Sequence, residues 1–191
     1  METSDALEAV LEVTTILDTL AIPYLVGGSL ASSLHGVPRS TEDADLVVEL
    51  EPAKIEPLVK ALQETFYIDE ERVRDAVRRR ASFNIIRLTG IFKIDLFVLP
   101  DTPGSRLEME RRQVVDLGDP ERSIFVASAE DTVVQKLHWY RLGRGISERQ
   151  WRDALGVLRV QKGRLDLDYL RETAVRLEVE GLLERALREA E

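Results

Sequence analysis

The order of hydrophobic and polar residues predicts a helix at the start of the chain and a short strand after it. Apolar side chains recur at helical spacing over residues 4–20, the pattern of an amphipathic helix. Pro23 ends this pattern, and the apolar run Tyr24-Leu25-Val26 predicts a strand that leads into two glycines. A short helix is expected over residues 29–34, and the segment 35–38, His-Gly-Val-Pro, ends it.

Strands and helices then alternate as far as about residue 127. Residues 45–49 predict a second strand, residues 52–65 a helix, and residues 69–80 a charged helix. The stretches 82–88 and 92–99 are typical of two strands joined by Thr89-Gly90, and shorter strands are expected over 113–117 and 123–126.

The character of the chain changes after Ser128. The segment 128–131, Ser-Ala-Glu-Asp, has the pattern that begins a capped helix, and glycines separate three or four helices in the remainder. We therefore expect an α+β (mixed α/β) core over residues 1–127 and a C-terminal helical subdomain over residues 128–191.

Composition narrows the range of functions. The 191 residues are 44% hydrophobic and 32% charged, enough to form a sizeable core, and the formal net charge of −9 argues against a general affinity for nucleic acid. The absence of cysteine excludes disulfides, thiolate nucleophiles and cysteine-based zinc sites. With no signal-peptide pattern and no long apolar run, the sequence predicts a cytoplasmic protein without a membrane partner.

Two aspartates, Asp43 and Asp45, lie at the start of the second predicted strand. Residues two apart on a strand point to the same face, so both carboxylates can approach one cation. Hard cations such as Mg²⁺ bind through oxygen ligands of this kind. The alternative interpretation is a pair of solvated acidic residues at a strand entrance.

A third aspartate, Asp95, lies in the stretch 92–99, which is otherwise typical of a buried strand. An ionised carboxylate inside a buried strand is costly unless it is paired or binds a cation. Two interpretations follow, a metal ligand or a salt bridge to an arginine on the neighbouring strand, for instance Arg87.

The segment Gly27-Gly28-Ser29 joins the first strand to the short helix. Glycines permit unusual backbone angles and the close approach of a ligand, and the start of a helix offers free N–H groups to a phosphate. Ser29 is expected either to cap the helix or to donate its hydroxyl to the same phosphate. Alone, the two glycines also fit an ordinary turn.

Together, these three features form an arrangement suited to phosphate chemistry. The glycine turn would hold a triphosphate, and Asp43 and Asp45 would hold two metal ions between that triphosphate and an attacking hydroxyl. Asp95 would complete one metal site and accept the hydroxyl proton. This is the arrangement of two-metal nucleotidyl transfer.

The order of these motifs resembles the DNA polymerase beta-type nucleotidyltransferase superfamily. Residues 35–45, HGVPRSTEDAD, are similar to small bacterial and archaeal nucleotidyltransferase-like proteins, some of which are toxins of toxin–antitoxin or phage-abortive systems. The resemblance implies a mixed sheet flanked by helices, dependence on Mg²⁺ with Mn²⁺ as an alternative, and transfer of a nucleoside monophosphate from an NTP such as ATP. The implied site residues are the metal ligands and catalytic residues Asp43, Asp45 and Asp95 and the nucleotide contacts Gly27, Gly28 and Ser29.

Two basic residues outside these motifs are candidate nucleotide contacts. Lys136 lies in a segment that resembles the place of a triphosphate-binding lysine in such proteins, and its alternative is a solvated helix lysine. Arg39 is a candidate phosphate contact or a partner of Glu42 or Asp43. Asp153 is expected to be structural or to steady Lys136 or an arginine.

The predicted function is that of a nucleotidyltransferase whose acceptor is an RNA such as tRNA, a protein or a small molecule, with an antitoxin or a second copy of the chain as a further partner. An arginine cluster consists of Arg72, Arg74, Arg78, Arg79 and Arg80. It indicates either a solvated helix face or a surface that contacts a polyanionic acceptor. Two alternative functions are a catalytically silent module that binds nucleotide or protein, and metal-assisted hydrolysis at the same aspartates.

Overall fold

The computed structural model describes residues 3–90, 92–118 and 123–191, which divide into two compact units. The sheet unit comprises Met1–Gly27 and Ser40–Val126, and the helical unit comprises Gly28–Arg39 and Ala127–Glu191. The C-terminal segment of the helical unit begins at Ala127, one residue before the predicted subdomain of residues 128–191. The helical unit also includes the segment Gly28–Arg39, which the sequence pattern assigned to the core.

The described residues form seven strands and nine α-helices. The strands are β1 (Tyr24–Val26), β2 (Asp43–Val48), β3 (Phe66–Tyr67), β4 (Ser82–Arg87), β5 (Lys93–Val98), β6 (Gln113–Asp116) and β7 (Ser123–Val126). The helices are α1 (Thr3–Thr19), α2 (Gly28–His35), α3 (Ile55–Leu62), α4 (Glu70–Arg79), α5 (Pro103–Glu110), α6 (Ala129–Leu142), α7 (Glu148–Val160), α8 (Leu167–Arg176) and α9 (Glu180–Ala190).

The sheet unit is built on one mixed sheet with the strand order β3-β4-β5-β2-β1-β7-β6. The pairs β2–β5 and β1–β7 are parallel, and the other neighbours are antiparallel. The central strands β1, β2 and β5 bury apolar side chains, including Leu25, Leu46 and Ile94. The predicted mixed sheet with flanking helices is confirmed.

Helix α1 is amphipathic, as the pattern over residues 4–20 predicts. Its apolar side chains Ala9, Val10, Val13 and Leu17 are 0% exposed, and the helix packs on α3 and β2. Helix α4 is capped at its N-terminus by Asp69, whose side chain accepts hydrogen bonds from the backbone N–H groups of Glu71 and Arg72. It ends at Arg80, which adopts a left-handed conformation with a φ of 52°.

Two short elements of the sheet unit were not predicted. Strand β3 has only two residues, in which Phe66 is buried and Tyr67 is exposed, too few for a periodic signal. Helix α5 buries only Met109 and is defined mainly by its first turn, where Thr102 caps the helix by accepting the N–H of Ser105.

The helical unit packs α2 with the four C-terminal helices around its own apolar core. Buried side chains of this core include Val133, Leu137, Trp151, Leu155 and Leu170. Trp151 and Leu155 lie one helical turn apart on α7, and both side chains are buried among these residues. No helix in the described part of the chain combines the length and apolar character that a membrane crossing requires.

Glycine allows α2 and α7 to approach closely within the helical unit. A β-carbon added at Gly36 would lie 2.8 Å from the backbone nitrogen of Val157 and 2.9 Å from the carbonyl oxygen of Ser32. His35, beside it, is buried, and its Nε2 donates to the carbonyl of Ala127 at 2.7 Å. The segment after α2 is therefore fixed to the helices by backbone contact and a buried hydrogen bond.

Candidate active site

The three predicted site aspartates lie on one face of the sheet unit. Across the parallel pair β2–β5, Asp45 is the register partner of Asp95, and Asp43 is the partner of Lys93. Burial alternates along both strands, and the intervening residues Ala44, Leu46, Ile94 and Leu96 are fully buried on the opposite face. The period-two pattern therefore brings Asp43, Asp45 and Asp95 together on the half-exposed face.

Lys93 forms an ion pair with one of these aspartates. Its Nζ donates to Oδ2 of Asp95 at 2.6 Å, and the two side chains are 41% and 24% exposed. The hydrogen bond to Asp95 raises the pKa of Lys93, burial opposes the shift, and the negative charges of Asp95, Asp43 and Asp45 raise the pKa further. The ammonium group thus lies in the field of all three carboxylates.

The partner of Asp95 is a residue that the sequence reasoning missed. The alternative considered for Asp95, a salt bridge, is present, but the partner is Lys93 of the same strand. Arg87 instead pairs with Glu12 at 3.4 Å. A lysine two positions before Asp95 was visible in the sequence, and the rule that placed Asp43 and Asp45 on one face also places Lys93 beside Asp95.

Local hydrogen bonds orient the first aspartate and connect the strands around it. The hydroxyl of Thr41 donates to the backbone carbonyl of Asp43 at 2.8 Å and contacts its carboxylate Oδ1 at 3.1 Å. The backbone N–H of Gly27 donates to the carbonyl of Asp45 at 2.8 Å, which extends the β1–β2 pairing beyond β1. The main chain that carries Asp43 and Asp45 is therefore firmly held.

The aspartate face fits a divalent cation in the chemistry of its donors. Mg²⁺ and Mn²⁺ both bind carboxylate oxygens, and this face carries three carboxylates. The positively charged ammonium group of Lys93 lies on the same face. Within residues 3–90, 92–118 and 123–191, however, no three His, Cys, Asp or Glu side chains converge closely enough to hold an ion. On the aspartate face, the carboxylate of Asp95 is instead paired with the ammonium group of Lys93.

The two glycines of the predicted phosphate turn differ in what they require. Gly28, the first residue of α2, has a φ of 57°, which a residue with a β-carbon rarely adopts. A β-carbon at Gly27 would make only an ordinary contact, 3.9 Å from the carbonyl oxygen of Asp45. The backbone therefore requires glycine at position 28 but leaves room for a side chain at position 27.

A second polar cluster, which we call the Asp153 cluster, lies in the helical unit and consists of Ser29, Arg39, Lys136 and Asp153. The carboxylate of Asp153 accepts hydrogen bonds from Nε and Nη2 of Arg39, both at 3.0 Å, and from Nζ of Lys136 at 2.9 Å. Nη2 of Arg39 also donates to the hydroxyl of Ser29 at 2.5 Å. Sequence positions 29, 39, 136 and 153, three of them predicted nucleotide contacts, are thus connected within one unit.

The Asp153 cluster decides two alternatives left open by the sequence. Lys136 is 3% exposed, so the interpretation as a solvated helix lysine is wrong. Asp153 binds both Lys136 and Arg39, the steadying role considered for it. Burial raises the pKa of Asp153, but the hydrogen bonds and charges of Arg39 and Lys136 outweigh burial and hold that pKa below its usual range.

The arginines of α4 are paired with acidic residues on or beside the same helix. The pairs are Arg72–Asp69, Arg74–Glu70, Arg78–Asp75 and Arg79–Asp75, and all of the arginine side chains are more than half exposed. Exposed pairs at this helical spacing are typical of a solvated surface and contribute little energy individually. The arrangement favours the solvated-face interpretation of the arginine cluster.

Comparison with known proteins gives structural but not sequence relatives. No protein-family model and no curated protein sequence matches the chain. An antigenic nucleotidyltransferase-like protein from Paracoccidioides brasiliensis is similar in structure, with a TM-score of 0.59 and 20% identity over 97% of this chain and 93% of that one. The antibiotic-resistance factor ANT(2″)-Ia has a TM-score of 0.56 and 14% identity over 97% and 98% of the two chains.

A third similar structure is that of the lincosamide antibiotic adenylyltransferase LnuA with bound lincomycin. Its TM-score is 0.52, with 10% identity over 83% of this chain and 98% of LnuA. At these identities the similarity shows a common fold.

Proposed function

We propose that this chain, which has a nucleotidyltransferase fold, is an enzyme that transfers a nucleoside monophosphate from an NTP to an acceptor hydroxyl. The observation that carries the proposal is the position of Asp43, Asp45 and Asp95 on one half-exposed face of adjacent parallel strands. Three carboxylates on one solvent-accessible face are oxygen ligands of the kind that divalent cations bind, and this reaction requires such cations beside a triphosphate.

In this proposal Asp43, Asp45 and Asp95 would hold two Mg²⁺ ions, with Mn²⁺ as an alternative. Bound ions of this kind would neutralise charge on the triphosphate and lower the pKa of the attacking hydroxyl. Thr41 would keep the carboxylate of Asp43 in place through its two contacts with that residue. The half-exposed position of Asp95 leaves its carboxylate accessible to a substrate.

The proposed reaction is an in-line displacement. The acceptor hydroxyl oxygen attacks the α-phosphorus of the NTP and forms a new oxygen–phosphorus bond. The bond between the α-phosphorus and the oxygen that bridges to the β-phosphate breaks, and pyrophosphate leaves with that oxygen. Asp95 accepts the proton of the hydroxyl as general base.

The proposed nucleotide contacts of Gly27, Gly28, Ser29 and Lys136 rest on the sequence resemblance, and that of Arg39 rests on its position before the aspartate pair. Their local chemistry is compatible with it, because the charges of Arg39, Lys136 and Asp153 add to one net positive charge. A partly buried, pre-oriented arginine is well suited to phosphate recognition, since its side chain loses little additional freedom on binding.

A small hydroxyl-bearing molecule is the first acceptor class to test. LnuA binds lincomycin, and ANT(2″)-Ia has been solved with adenylyl-2″-tobramycin, so two proteins of this fold bind small hydroxyl-bearing compounds. The net charge of −9 and the paired arginines of α4 make a nucleic-acid acceptor less favourable. A toxin role, an antitoxin partner, a homodimer and a cytoplasmic location stay predictions from the sequence.

A labelling experiment tests the proposed reaction. Each NTP, labelled at the α-phosphate, is incubated with Mg²⁺ and an acceptor panel of aminoglycosides, lincosamides, tRNA and protein extract. We expect label on one acceptor class with equimolar pyrophosphate, and a loss of about 100-fold or more in Asp95→Asn, the usual effect of removing a general base.

The matched control is Asp101→Asn, which removes an exposed aspartate of the same unit and should keep the wild-type rate. Full activity of Asp95→Asn would contradict the role of Asp95. Release of the label as free nucleotide without any acceptor would show hydrolysis instead of transfer.

A further inference from the structure

We propose that Lys93 is a displaceable counter-cation of the aspartate face, which holds Asp95 in the metal-free protein and must leave it before a divalent ion binds. This inference rests on the proposed function, because it concerns the proposed metal ligands. It adds Lys93 to the site as a residue that controls the affinity for metal.

The geometry places the ammonium group where a cation is needed. Nζ of Lys93 lies 2.6 Å from Oδ2 of Asp95, and Lys93 is the register partner of Asp43 across the parallel strands. Asp45 is in turn the register partner of Asp95. Lys93 thus has one carboxylate two positions along its own strand and two more on the neighbouring strand.

The charges explain why a cation is favoured on this face. Asp43, Asp45 and Asp95 together carry three negative charges when ionised, and Lys93 reduces the local sum to minus two. Like charges on adjacent strands repel one another, and a nearby positive charge relieves this repulsion. A divalent ion would relieve it more strongly, so the ion and the ammonium compete for Asp95.

The Lys93–Asp95 pair is more exposed to solvent than the Lys136–Asp153 pair. The Lys93 side chain is 41% exposed, whereas the side chain of Lys136, in its pair with Asp153, is 4% exposed. A lysine with a flexible four-carbon chain at the surface regains water and rotamer freedom when its ion pair breaks. The Lys136 pair is therefore shielded from solvent, whereas the Lys93 pair is of a kind that exchanges with an incoming ion.

The test measures Mn²⁺ binding by the full chain without nucleotide, from the electron paramagnetic resonance signal of free Mn²⁺. Lys93→Met, which keeps the length and removes the charge, should bind Mn²⁺ about 3- to 10-fold more tightly than wild type. Lys93→Arg keeps a cation and should bind no more tightly than wild type. Lys60→Met, which removes an exposed lysine of the same unit, controls for net charge and should match wild type within twofold.

A second readout comes from thermal unfolding of the same proteins. Metal-free Lys93→Met should unfold at a lower temperature than metal-free wild type, and Mn²⁺ should raise its midpoint by more. A wild-type circular dichroism spectrum of the variant would show that the fold is kept.

Different results separate this inference from the proposed function. If wild type binds Mn²⁺ and Lys93→Met binds it equally or more weakly, the inference is overturned while the metal site stands. If neither protein binds Mn²⁺ at millimolar concentration, the proposed metal-dependent function fails, and the role of Lys93 fails with it.

Discussion

At the scale of single residues, Asp153 connects two charged groups of the helical unit, Arg39 and Lys136. Its side chain is 8% exposed and accepts hydrogen bonds from both Arg39 and Lys136. If the negative charge of Asp153 is removed, Arg39 and Lys136 lose the carboxylate that neutralises them. The loss of a buried carboxylate of this kind destabilises a protein more than the loss of a surface ion pair. The stability of the helical unit should therefore depend on the ionised form of Asp153.

The first prediction concerns Asp153→Asn. We expect this variant to be less stable than wild type by about 3 kcal/mol at pH 7, measured by urea unfolding. Because the pKa of Asp153 is lowered in the folded protein, its stabilising contribution is present above the unfolded pKa of about 3.9. The contribution is lost as pH falls further, so the difference between variant and wild type should shrink below about pH 4.

Asp168→Asn is the control for this pH dependence, because it removes an exposed aspartate at the start of α8 in the same unit. Its cost should stay below about 1 kcal/mol. A gap between Asp153→Asn and wild type that persists unchanged at pH 3 would exclude the ionised carboxylate as its cause.

The sequence allowed part of each polar cluster to be predicted. The strand period of two was sufficient to place Asp43 and Asp45 on one face, and the cost of a buried charge marked Asp95. The contact of Arg39 with Asp153 joins residues 114 positions apart, and no local pattern encodes such a distance. The burial of Lys136 was likewise undetermined, because it depends on which helices cover α6.

At the scale of elements, the close approach of α2 and α7 is sensitive to a single change at Gly36. The position that a β-carbon would take at Gly36 is within 3.0 Å of backbone atoms of Ser32, Gly156 and Val157. Backbone atoms cannot rotate away as a side chain can, so the helices themselves would have to separate. Gly36 is thus required by packing between α2 and α7.

The second prediction follows from this contact. Gly36→Ala should reduce the stability of the helical unit by about 1–3 kcal/mol, measured by thermal or urea unfolding with circular dichroism. Gly181→Ala is the control, since a β-carbon there meets nothing within 4 Å and α9 should gain up to about 1 kcal/mol. Equal stability of Gly36→Ala and wild type would contradict the close approach.

The elements with long periodic patterns were the ones that the sequence predicted well. Helix α1 and strands β4 and β5 follow their expected spans closely, because each has several residues of regular burial. Strand β3 and helix α5 bury only one residue each and gave no such signal. The grouping of α2 with α6 and α7 is a property of tertiary packing, which chain order does not show.

At the scale of the whole molecule, the fold is shared with proteins that have little sequence in common with this chain. Identities of 20% and 14% accompany coverage of nearly the full length of both chains. The core positions of a sheet tolerate many apolar substitutions, whereas the proposed chemistry needs specific carboxylates. The site residues therefore decide whether this fold is active or silent in the present chain.

The central claim is that Asp43 and Asp45 bind the metal ions that hold an NTP, and calorimetry tests it most directly. Each NTP is titrated with Mg²⁺ into wild type, into Asp43→Asn/Asp45→Asn, and into Glu64→Gln/Asp101→Asn, which removes two exposed carboxylates of the same unit. We predict Mg²⁺-dependent binding of at least one NTP to wild type and the Glu64/Asp101 control, and its loss in the Asp43/Asp45 variant. Undiminished binding by the Asp43/Asp45 variant, or no binding of any NTP to wild type at millimolar concentration, would contradict the claim.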